Sequence, residues 1–508
     1  MKYILLAAVI IMIIGCVTEP QYYQHDTKSF RINEQTPGNI STAISAVKSD
    51  IPSHYTGYYL LHDPIEALVA RASLMSEAQH TIDIQYYIYK NDFTGTLLFE
   101  EAKKAADRGV RVRILLDDFG SFGIDDVLIN LDQHPNVEVR LFNAFQRDRS
   151  LIGQLIFGFG NTTRRMHNKA LIVDNQLSII GGRNIGDEYF GANPDIVFED
   201  LDVLLTNPAT DEVSRSFDEF WNSIRSKPAN KLIRKSPVDH ELVVKSRSFR
   251  HCFQIPNGKE YVKAVSQRLH LMQDRAGDIP FFWTESEVKF DSPTKVKKPR
   301  DRYDLMWSTN LQPVIDQLQK SLVIVTPYFV PGDAGVEFFR KLRAKGIEVK
   351  IITNSLESTD VPIVHSGYAP YRNELLDMGV VLYEVDGREK QKLEKDSLRS
   401  WFASRSSLHA KLFVFDDQTA FIGSPNFDPR SFYENTEIGV SLHSNDLAQV
   451  LDNALSDLVS EDAFRVMKDD NSLVWIKGDE VFHHEPGASW FKRTSNYLMR
   501  FLPVESQL

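Results

Sequence analysis

The sequence predicts an α/β protein made of two tandem lobes, each a mixed β-sheet flanked by helices. Three observations support this fold class. The chain has 508 residues, more than one hydrophobic core usually holds. A strand–helix–glycine–strand pattern occurs twice, and a His-x-Lys-x(4)-Asp motif follows each copy. The predicted organisation is a signal peptide over 1–15, a tether over 16–55, a first lobe over 56–285, a charged linker over 286–305 and a second lobe over 306–508.

The N-terminus has the pattern of an export signal. A basic start precedes an apolar run over 3–14, which is short for a membrane span. The run ends in Gly15-Cys16, which resembles a bacterial lipobox, so we expect Cys16 to carry lipid and to begin the tether. The alternative is an uncleaved anchor with an incidental cysteine. Val17, where an Asp would signal inner-membrane retention, favours the outer-membrane or periplasmic side of the bacterial envelope.

Composition limits the class of protein further. With 42% hydrophobic and 25% charged residues, bulk disorder is excluded. A formal net charge of -11 disfavours a general nucleic-acid binder, because such proteins need excess Lys and Arg for phosphates. The second of the two cysteines, Cys252, is expected to be a small buried hydrophobe, and a lipidated Cys16 leaves it no disulfide partner.

The repeat predicts the order of elements in each lobe. Polar, irregular sequence before residue 55 predicts the tether. The charged, proline-containing stretch 289–302 predicts a connecting loop, whose Lys295, Lys297, Lys298 and Arg300 are candidates for anionic lipid contact or for plain solvation. The predicted elements are strands over 81–88, 110–116 and 137–142 with a helix over 96–108 in the first copy, and strands over 322–329, 347–352 and 380–385 with a helix ending at 345 in the second.

The repeated motif carries the chemistry. Residues two apart on a strand share a face, so His and Lys of each copy point together. His can attack phosphorus or move a proton, Lys supplies positive charge, and Asn adds a neutral donor. A later carboxylate can orient the His ring, as in a catalytic triad. The candidate catalytic residues are His167, Lys169, Asn184 and Asp200 in the first copy and His409, Lys411, Asn426 and Glu437 in the second, with 17 residues between His and Asn in both.

Two further expectations concern residues near the motifs. Asp174 and Asp416 close the motifs but lie far along the strand from each His, so we expect them to stabilise the fold. Ser424 takes the place of Gly182 and could bond the neighbouring carboxylate.

At these residues the chain resembles the phospholipase D superfamily, over roughly 67–460. The resemblance implies lobes related by a pseudo-twofold axis, an active site at their interface, no metal requirement and a covalent phosphohistidine. It implies that His167 is the nucleophile and that His409 first protonates the leaving alcohol and then activates the acceptor. Because the two motifs are symmetric, the sequence alone leaves open which histidine has which role. No cofactor is expected, because the sequence contains no cofactor-binding motif, and neither motif has the clustered ligands of a zinc site. Within the superfamily the chain is similar to bacterial cardiolipin synthases, particularly the C type, on segments 84–89, 181–190, 426–431 and 502–508. It departs from the better-known synthases, which carry two N-terminal spanning helices.

The same likeness marks a candidate head-group site and a candidate membrane contact. His365, Tyr368 and Arg372 match the synthase pattern and are expected to bind substrate, the alternative being an ordinary loop before a helix over 371–378. Trp490-Phe491 and Tyr497-Leu498, with basic residues between them, predict an amphipathic helix. Such a helix either closes a core or lies in a bilayer interface.

The predicted function is phosphatidyl transfer that makes cardiolipin, with membrane phospholipids as donor and acceptor. The alternatives are a phospholipase D-type hydrolase releasing phosphatidic acid, a phosphodiesterase or nuclease of the same superfamily, and a non-catalytic envelope protein. No nucleic acid is expected as a partner. The sequence leaves open the donor head group, the acceptor alcohol, the leaflet and the oligomeric state.

Overall fold

The structure is a computed structural model. It describes residues 28–32, 38–48, 50–147, 153–154, 163–193, 196–233, 261, 263–265, 267, 280–297, 307–388, 407–470 and 472–500. The predicted signal peptide, Cys16 and Cys252 lie outside these residues.

The first lobe contains a mixed sheet. Its strands run in the order β9-β4-β3-β2-β5-β6-β8-β1, with β2, β3 and β4 parallel and the other pairings antiparallel. The chain reaches these strands as β1 (Thr56–Leu61), β2 (Thr81–Tyr86), β3 (Arg111–Asp117), β4 (Val137–Phe142), β5 (Ala170–Val173), β6 (Leu177–Gly181), β7 (Phe198–Glu199), β8 (Asp202–Thr206) and β9 (Ser226–Pro228).

The second lobe repeats this order. It reads β13-β12-β11-β15-β16-β17-β10, with β18, β19 and β20 added beyond β13. Its strands are β10 (Phe282–Phe290), β11 (Ser321–Val325), β12 (Glu348–Asn354), β13 (Val381–Val385), β14 (Ser407–Leu408), β15 (Leu412–Phe415), β16 (Thr419–Gly423), β17 (Ile438–His443), β18 (Ala463–Asp469), β19 (Ser472–Lys477) and β20 (Glu480–Phe482).

Strand β10 joins the two sheets. Its first residues pair with β1 and the rest pair with β17, both antiparallel, so the described strands form one 18-stranded sheet. A separate two-stranded pair, β7 with β14, also crosses between the lobes. The equal strand order on either side of the β1–β10 pair gives the pseudo-twofold arrangement that the sequence predicts, and the predicted fold class is confirmed.

Helices cover the sheet in layers. One apolar core lies under the outer helices of each lobe, and a third, between them, contains residues from both lobes. The helices are α1 (Asn39–Val47), α2 (Pro64–Glu77), α3 (Phe93–Asp107), α4 (Asp125–Leu131), α5 (Ala209–Trp221), α6 (Ala229–Leu232), α7 (Trp307–Asp316), α8 (Gly332–Ala344), α9 (Pro362–Tyr368), α10 (Arg372–Asp377), α11 (Asn445–Glu461) and α12 (Trp490–Met499).

Local chemistry sets the helix boundaries. Asp63, Asp92 and Ser444 cap α2, α3 and α11 by accepting a backbone N–H of the first turn. Gly109 and Gly346 follow α3 and α8 with φ of 99° and 83°, a conformation that favours glycine. The predicted helix–glycine–strand order therefore has the same physical basis in both copies.

The tether prediction is wrong for part of its length. Residues 39–47 form α1, whose Ile40 enters the core of the first lobe. The earlier segment 28–32 is also bound to this lobe, since Ser29 N–H donates to Asn222 at 3.0 Å and Arg31 N–H to Asp218 at 2.9 Å. Polar composition concealed this contact, because docking here uses backbone hydrogen bonds rather than apolar side chains.

The linker prediction also needs correction. Residues 286–290 belong to β10, which pairs with β17 and in which the exposed Glu287 is followed by the buried Val288. Lys295 is buried, with Nζ 2.8 Å from Asp291 Oδ2 and donating to Ser431 O at 2.9 Å, so it is withdrawn from lipid. Lys298 and Arg300 lie outside the described residues. The charged residues at the start of the predicted linker therefore belong to a strand that has one polar face, and not to a loop.

Candidate active site

Each motif histidine is held by main chain from the opposite lobe. Met166 pairs with Thr436, and His167 N–H donates to Thr436 O at 2.9 Å. In the same way β14 pairs with β7, and His409 N–H donates to Glu199 O at 2.7 Å. The two histidines therefore lie at the interface between the lobes.

The carboxylate that orients each histidine also comes from the opposite lobe. His167 Nδ1–H donates to Glu437, with 2.9 Å to Oε2 and 3.1 Å to Oε1. His409 Nδ1–H donates to Asp200 Oδ2. Because Nδ1 is engaged in both rings, Nε2 is the atom available to attack phosphorus or carry a proton. The two copies of the motif thus build one composite site.

The motif lysines lie directly beside these pairs. Lys169 Nζ donates to His167 O at 2.7 Å, and Lys411 Nζ donates to His409 O. Lys411 Nζ also lies 2.7 Å from His409 Nδ1, 3.3 Å from its Nε2 and 4.0 Å from Asp200 Oδ2. Both lysines are buried, so their charge acts at short range with little solvent screening.

Burial and charge shift the titration of the whole cluster. Burial lowers the pKa of His167 to about 4, against the opposing effect of Glu437. Burial also lowers the pKa of His409, and it lowers that of Lys169 to about 7. Burial acts to raise the pKa of Glu437, but His167 and Lys169 outweigh it and lower the pKa. The site therefore has ionised carboxylates and neutral, nucleophilic imidazoles.

The two asparagines differ in their available hydrogen-bonding capacity. Asn184 Nδ2 donates to the Tyr189 hydroxyl at 2.9 Å, and its Oδ1 accepts Ile88 N–H at 3.2 Å. Asn426 is also buried, yet its Oδ1 has no hydrogen-bond partner among the described residues. The second asparagine thus keeps capacity for a ligand, whereas the first is bound to its own lobe.

Comparison with known proteins agrees with this geometry. The family model described as the cardiolipin synthase, phospholipase D-like domain matches twice, at residues 72–221 and 311–459. Cardiolipin synthase C of Escherichia coli (strain K12) is 35% identical over 92% of this chain and 99% of its own length. The chain belongs to the cardiolipin synthase family of phospholipase D-like proteins.

More distant members and a solved structure extend the comparison. Cardiolipin synthase B of Shigella flexneri is 25% identical over 77% of this chain and 78% of its own length. The crystal structure of a phosphatidylserine synthase from Haemophilus influenzae Rd KW20 aligns with a TM-score of 0.53 at 12% identity, covering 84% of this chain and 92% of that one. The family model and the relatives confirm the prediction of a phospholipase D-type phosphatidyltransferase enzyme, and the solved structure shares the fold.

In this family member each orienting carboxylate has a different support. Ser424 donates to Glu437 Oε2 and accepts Ile438 N–H at 3.0 Å, so it forms the bond expected from sequence. At the matching position Gly182 has no side chain, and a Cβ there would lie 2.0 Å from Asp200 Oδ1. The shorter acid therefore packs on a glycine and the longer acid is held by a hydroxyl.

The aspartates that close the motifs make matching contacts. Asp174 accepts the backbone N–H groups of Gln79, His80 and Thr81 at 2.7–2.9 Å. Asp416 does the same with residues 319–321, also at 2.7–2.9 Å. Both begin tight hairpins with φ of 52°. These contacts are of the kind that a fold-stabilising role requires, and they lie at the end of the strand away from the histidines.

The predicted substrate-binding residues have other partners. Arg372 is fully buried, with Nε 2.8 Å from Glu384 Oε1, Nη1 3.1 Å from Glu485 Oε1 and Nη2 2.8 Å from His365 Nε2. Its guanidinium lies over the Tyr368 ring at 4.9 Å. Direct head-group binding by His365, Tyr368 and Arg372 stays a prediction. The charged group of Arg372 already contacts two carboxylates and His365, whereas the buried Tyr368 hydroxyl has no hydrogen-bond partner among the described residues.

Sequence reasoning missed four residues around the histidines. Asp117, at the end of β3, accepts Met166 N–H at 2.9 Å, and Asn354, at the end of β12, bonds Leu408 N and O at 3.0 and 2.9 Å. Tyr87 meets the His167 ring edge-on at 5.0 Å, and Tyr328 meets His409 at 6.5 Å. The sequence did contain a signal for two of them, because Asp117 and Asn354 are polar residues at the ends of equivalent strands, β3 and β12.

No helix in the described part of the chain is both long and apolar enough to span a bilayer.

Proposed function

We propose that the protein makes cardiolipin by transferring a phosphatidyl group from one phospholipid to the alcohol of another. The observation that carries the proposal is the pair of crossed His–carboxylate bonds, His167 with Glu437 and His409 with Asp200. Because each carboxylate holds Nδ1, these bonds leave the reaction to Nε2 of each ring, with a motif lysine beside each histidine. The names of the relatives, cardiolipin synthases C and B, supply the product.

The first step forms a phosphohistidine. His167 Nε2 attacks the donor phosphorus, and the bond from phosphorus to the leaving alcohol breaks. His409, protonated in the complex because the bound phosphate diester is an anion, gives its proton to that alcohol. Lys169, Lys411 and the amide N–H of Asn426 donate to the phosphoryl oxygens and stabilise the charge that develops on them. Glu437 stabilises the cationic, phosphorylated ring of His167.

The second step returns the enzyme to its starting state. The acceptor alcohol gives its proton to the now neutral His409, and its oxygen attacks phosphorus as the bond to His167 Nε2 breaks. Transfer to the hydroxyl of a second phospholipid gives cardiolipin. Water in the acceptor position gives phosphatidic acid instead, so the acceptor alone separates a transferase from a hydrolase.

The membrane location is part of the same proposal. Lipid on Cys16 would hold the chain on the envelope membrane, with the outer-membrane or periplasmic side favoured, and helix α12 would provide a second contact. Both lipid substrates then reach the site without leaving the bilayer.

Lipid mass spectrometry on cardiolipin-deficient bacteria tests the proposal. The intact chain should restore cardiolipin, whereas His167→Ala and His409→Ala should abolish it. His54→Ala is the matched control, because that side chain is 64% exposed and far from the motifs in sequence. Phosphatidic acid without cardiolipin would indicate the hydrolase, and His167-dependent cleavage of DNA or RNA without lipid change would indicate a nuclease.

A further inference from the structure

Helix α12 has its polar side inward and its apolar side outward. Asn496 is buried, donates to Pro362 O at 2.7 Å and lies 3.5 Å from His365 Nδ1. Trp490, Phe491 and Leu498 are 71%, 74% and 60% exposed, respectively. A terminal helix that closes a core has the opposite orientation. The structure thus argues against the core-closing alternative for this stretch.

The anchoring of α12 places it beside the catalytic cleft. Lys492 Nζ lies 3.2 Å from Glu357 Oε2, in the loop that follows β12. In the same loop Asp360 accepts the Tyr328 hydroxyl at 2.8 Å, and the Tyr328 ring meets His409. A short chain of contacts therefore connects α12 with the second motif.

The first lobe presents exposed aromatic rings at the equivalent position. The loop after β3 carries Phe119 and Phe122, which are 43% and 60% exposed. Its Gly120 O accepts Tyr89 N–H at 3.2 Å, and its backbone packs against Tyr87 O, next to the ring that meets His167. Because β3 and β12 are equivalent strands, the two sets of rings are associated with equivalent loops of the two lobes, and each loop contacts a tyrosine whose ring meets a motif histidine.

Charge on α12 favours an anionic partner for this part of the surface. The segment 490–500 contains Lys492, Arg493 and Arg500 and no acidic residue, within a chain whose net charge is -11. The helical spacing places Arg493 and Arg500 along the border of the exposed apolar face. Aromatic rings bordered by basic groups match an anionic phospholipid interface, with the rings among the acyl chains and the cations at the head groups.

We propose that Phe119, Phe122, Trp490, Phe491, Tyr497 and Leu498 form a docking surface that seats the mouth of the cleft on an anionic bilayer. This inference rests on the proposed function, since it supplies phospholipid directly to the two histidines. It fixes the orientation of the protein independently of the lipid anchor, which alone would leave the cleft free to face away from the membrane.

Collisional quenching by lipid nitroxides tests the orientation. The full-length chain with Cys252→Ser is reconstituted in vesicles of phosphatidylethanolamine with roughly a third of phosphatidylglycerol, an anionic composition. Fluorophores are attached at Phe491→Cys, Phe122→Cys or Phe282→Cys. Phe282 is the matched control, because it is 61% exposed and lies at the end of β10 opposite to Phe290, which pairs with Ile438 next to Glu437. Quenching at 491 and 122 but not at 282 is expected, and equal quenching at all three or quenching at 282 alone would overturn the proposal.

Activity provides a second readout. Trp490→Ser with Phe491→Ser should lower the rate on the same vesicles by about tenfold, since interfacial binding follows the buried apolar area. The rate on detergent-dispersed phosphatidylglycerol and the vesicle rate of Phe282→Ser should stay unchanged. A double variant with an unchanged vesicle rate, or with equal losses in both assays, would overturn the proposal. Failure of the proposed function has a different signature, in which the parent is inactive in detergent while quenching is still measurable.

Discussion

At the scale of single residues, we expect Lys169 to set the alkaline limit of the reaction. Burial lowers the pKa of this lysine to about 7, so its cationic form predominates below that pH and is lost above it. If the cation binds the phosphate, kcat/KM should fall as pH rises through about 7, because this parameter reports groups of the free enzyme. Lys169→Arg should lower the maximal rate, since the larger group fits poorly, and move the alkaline limb to higher pH. A pH–rate profile measures both, with the exposed Lys320→Arg as control.

An alkaline limb that stays in place in Lys169→Arg would assign the titration to another group. The acid limb gives an internal reference, because it belongs to the carboxylates and histidines and should keep its position.

The residue types of the site could be predicted from sequence, but their partners could not. Duplication marks His167 and His409 as one kind of residue and Asp200 and Glu437 as another. Strand alternation tells which side chains share a face. It does not tell that each histidine bonds the acid of the other copy, because an exchange between two nearly identical motifs leaves the sequence pattern unchanged. Only the relative position of the lobes decides the pairing.

At the scale of elements, Asp174 and Asp416 each accept three backbone N–H groups at equivalent hairpins, and we expect both to stabilise the fold. Asp174→Ala or Asp416→Ala removes the acceptor of three backbone N–H groups and leaves alanine at a φ of 52°. We expect the free energy of unfolding to fall by about 1–3 kcal/mol. This is the usual cost of backbone N–H donors that lose their acceptor when water satisfies only some of them. The thermal unfolding midpoint should fall by several degrees in each variant.

Asp174→Asn is the control, because asparagine tolerates the same backbone conformation and keeps one acceptor oxygen. A midpoint equal to that of the parent in both alanine variants would show that water satisfies the three N–H groups.

The order of strands and helices could be predicted from sequence, because hydrophobic periodicity and glycine mark it locally. Strand β10 was missed because its role depends on β1 and β17, which are distant in sequence.

At the scale of the whole molecule, the lobes are joined more by packing than by the chain between them. The middle core contains side chains of both lobes, and β10 pairs with β17 over six residues while keeping its pairing with β1. A protease site inserted after Lys297 should therefore give two fragments that remain together. Such a nicked protein should elute as one species and keep most of its activity. Separation of the fragments without denaturant would contradict this expectation.

The crossed His–carboxylate pairs also predict which of the two chemical steps each carboxylate affects. Glu437 contacts His167, the proposed nucleophile, from the second lobe, and Asp200 contacts His409, the proposed acid and base, from the first. With a donor whose leaving group needs no proton, such as p-nitrophenyl phosphatidate, Glu437→Gln should slow formation of the phosphohistidine. Asp200→Asn should slow only its breakdown, so the covalent intermediate should accumulate on His167.

Rapid quenching followed by mass spectrometry of the peptide containing His167 measures the difference. The affected rates should fall by about 10²–10⁴-fold, the usual contribution of acid–base catalysis. Accumulation in Glu437→Gln rather than in Asp200→Asn would reverse the roles of the histidines while leaving the crossed geometry intact. Accumulation on His167 in neither variant would mean that the acids do not act through the histidines they touch.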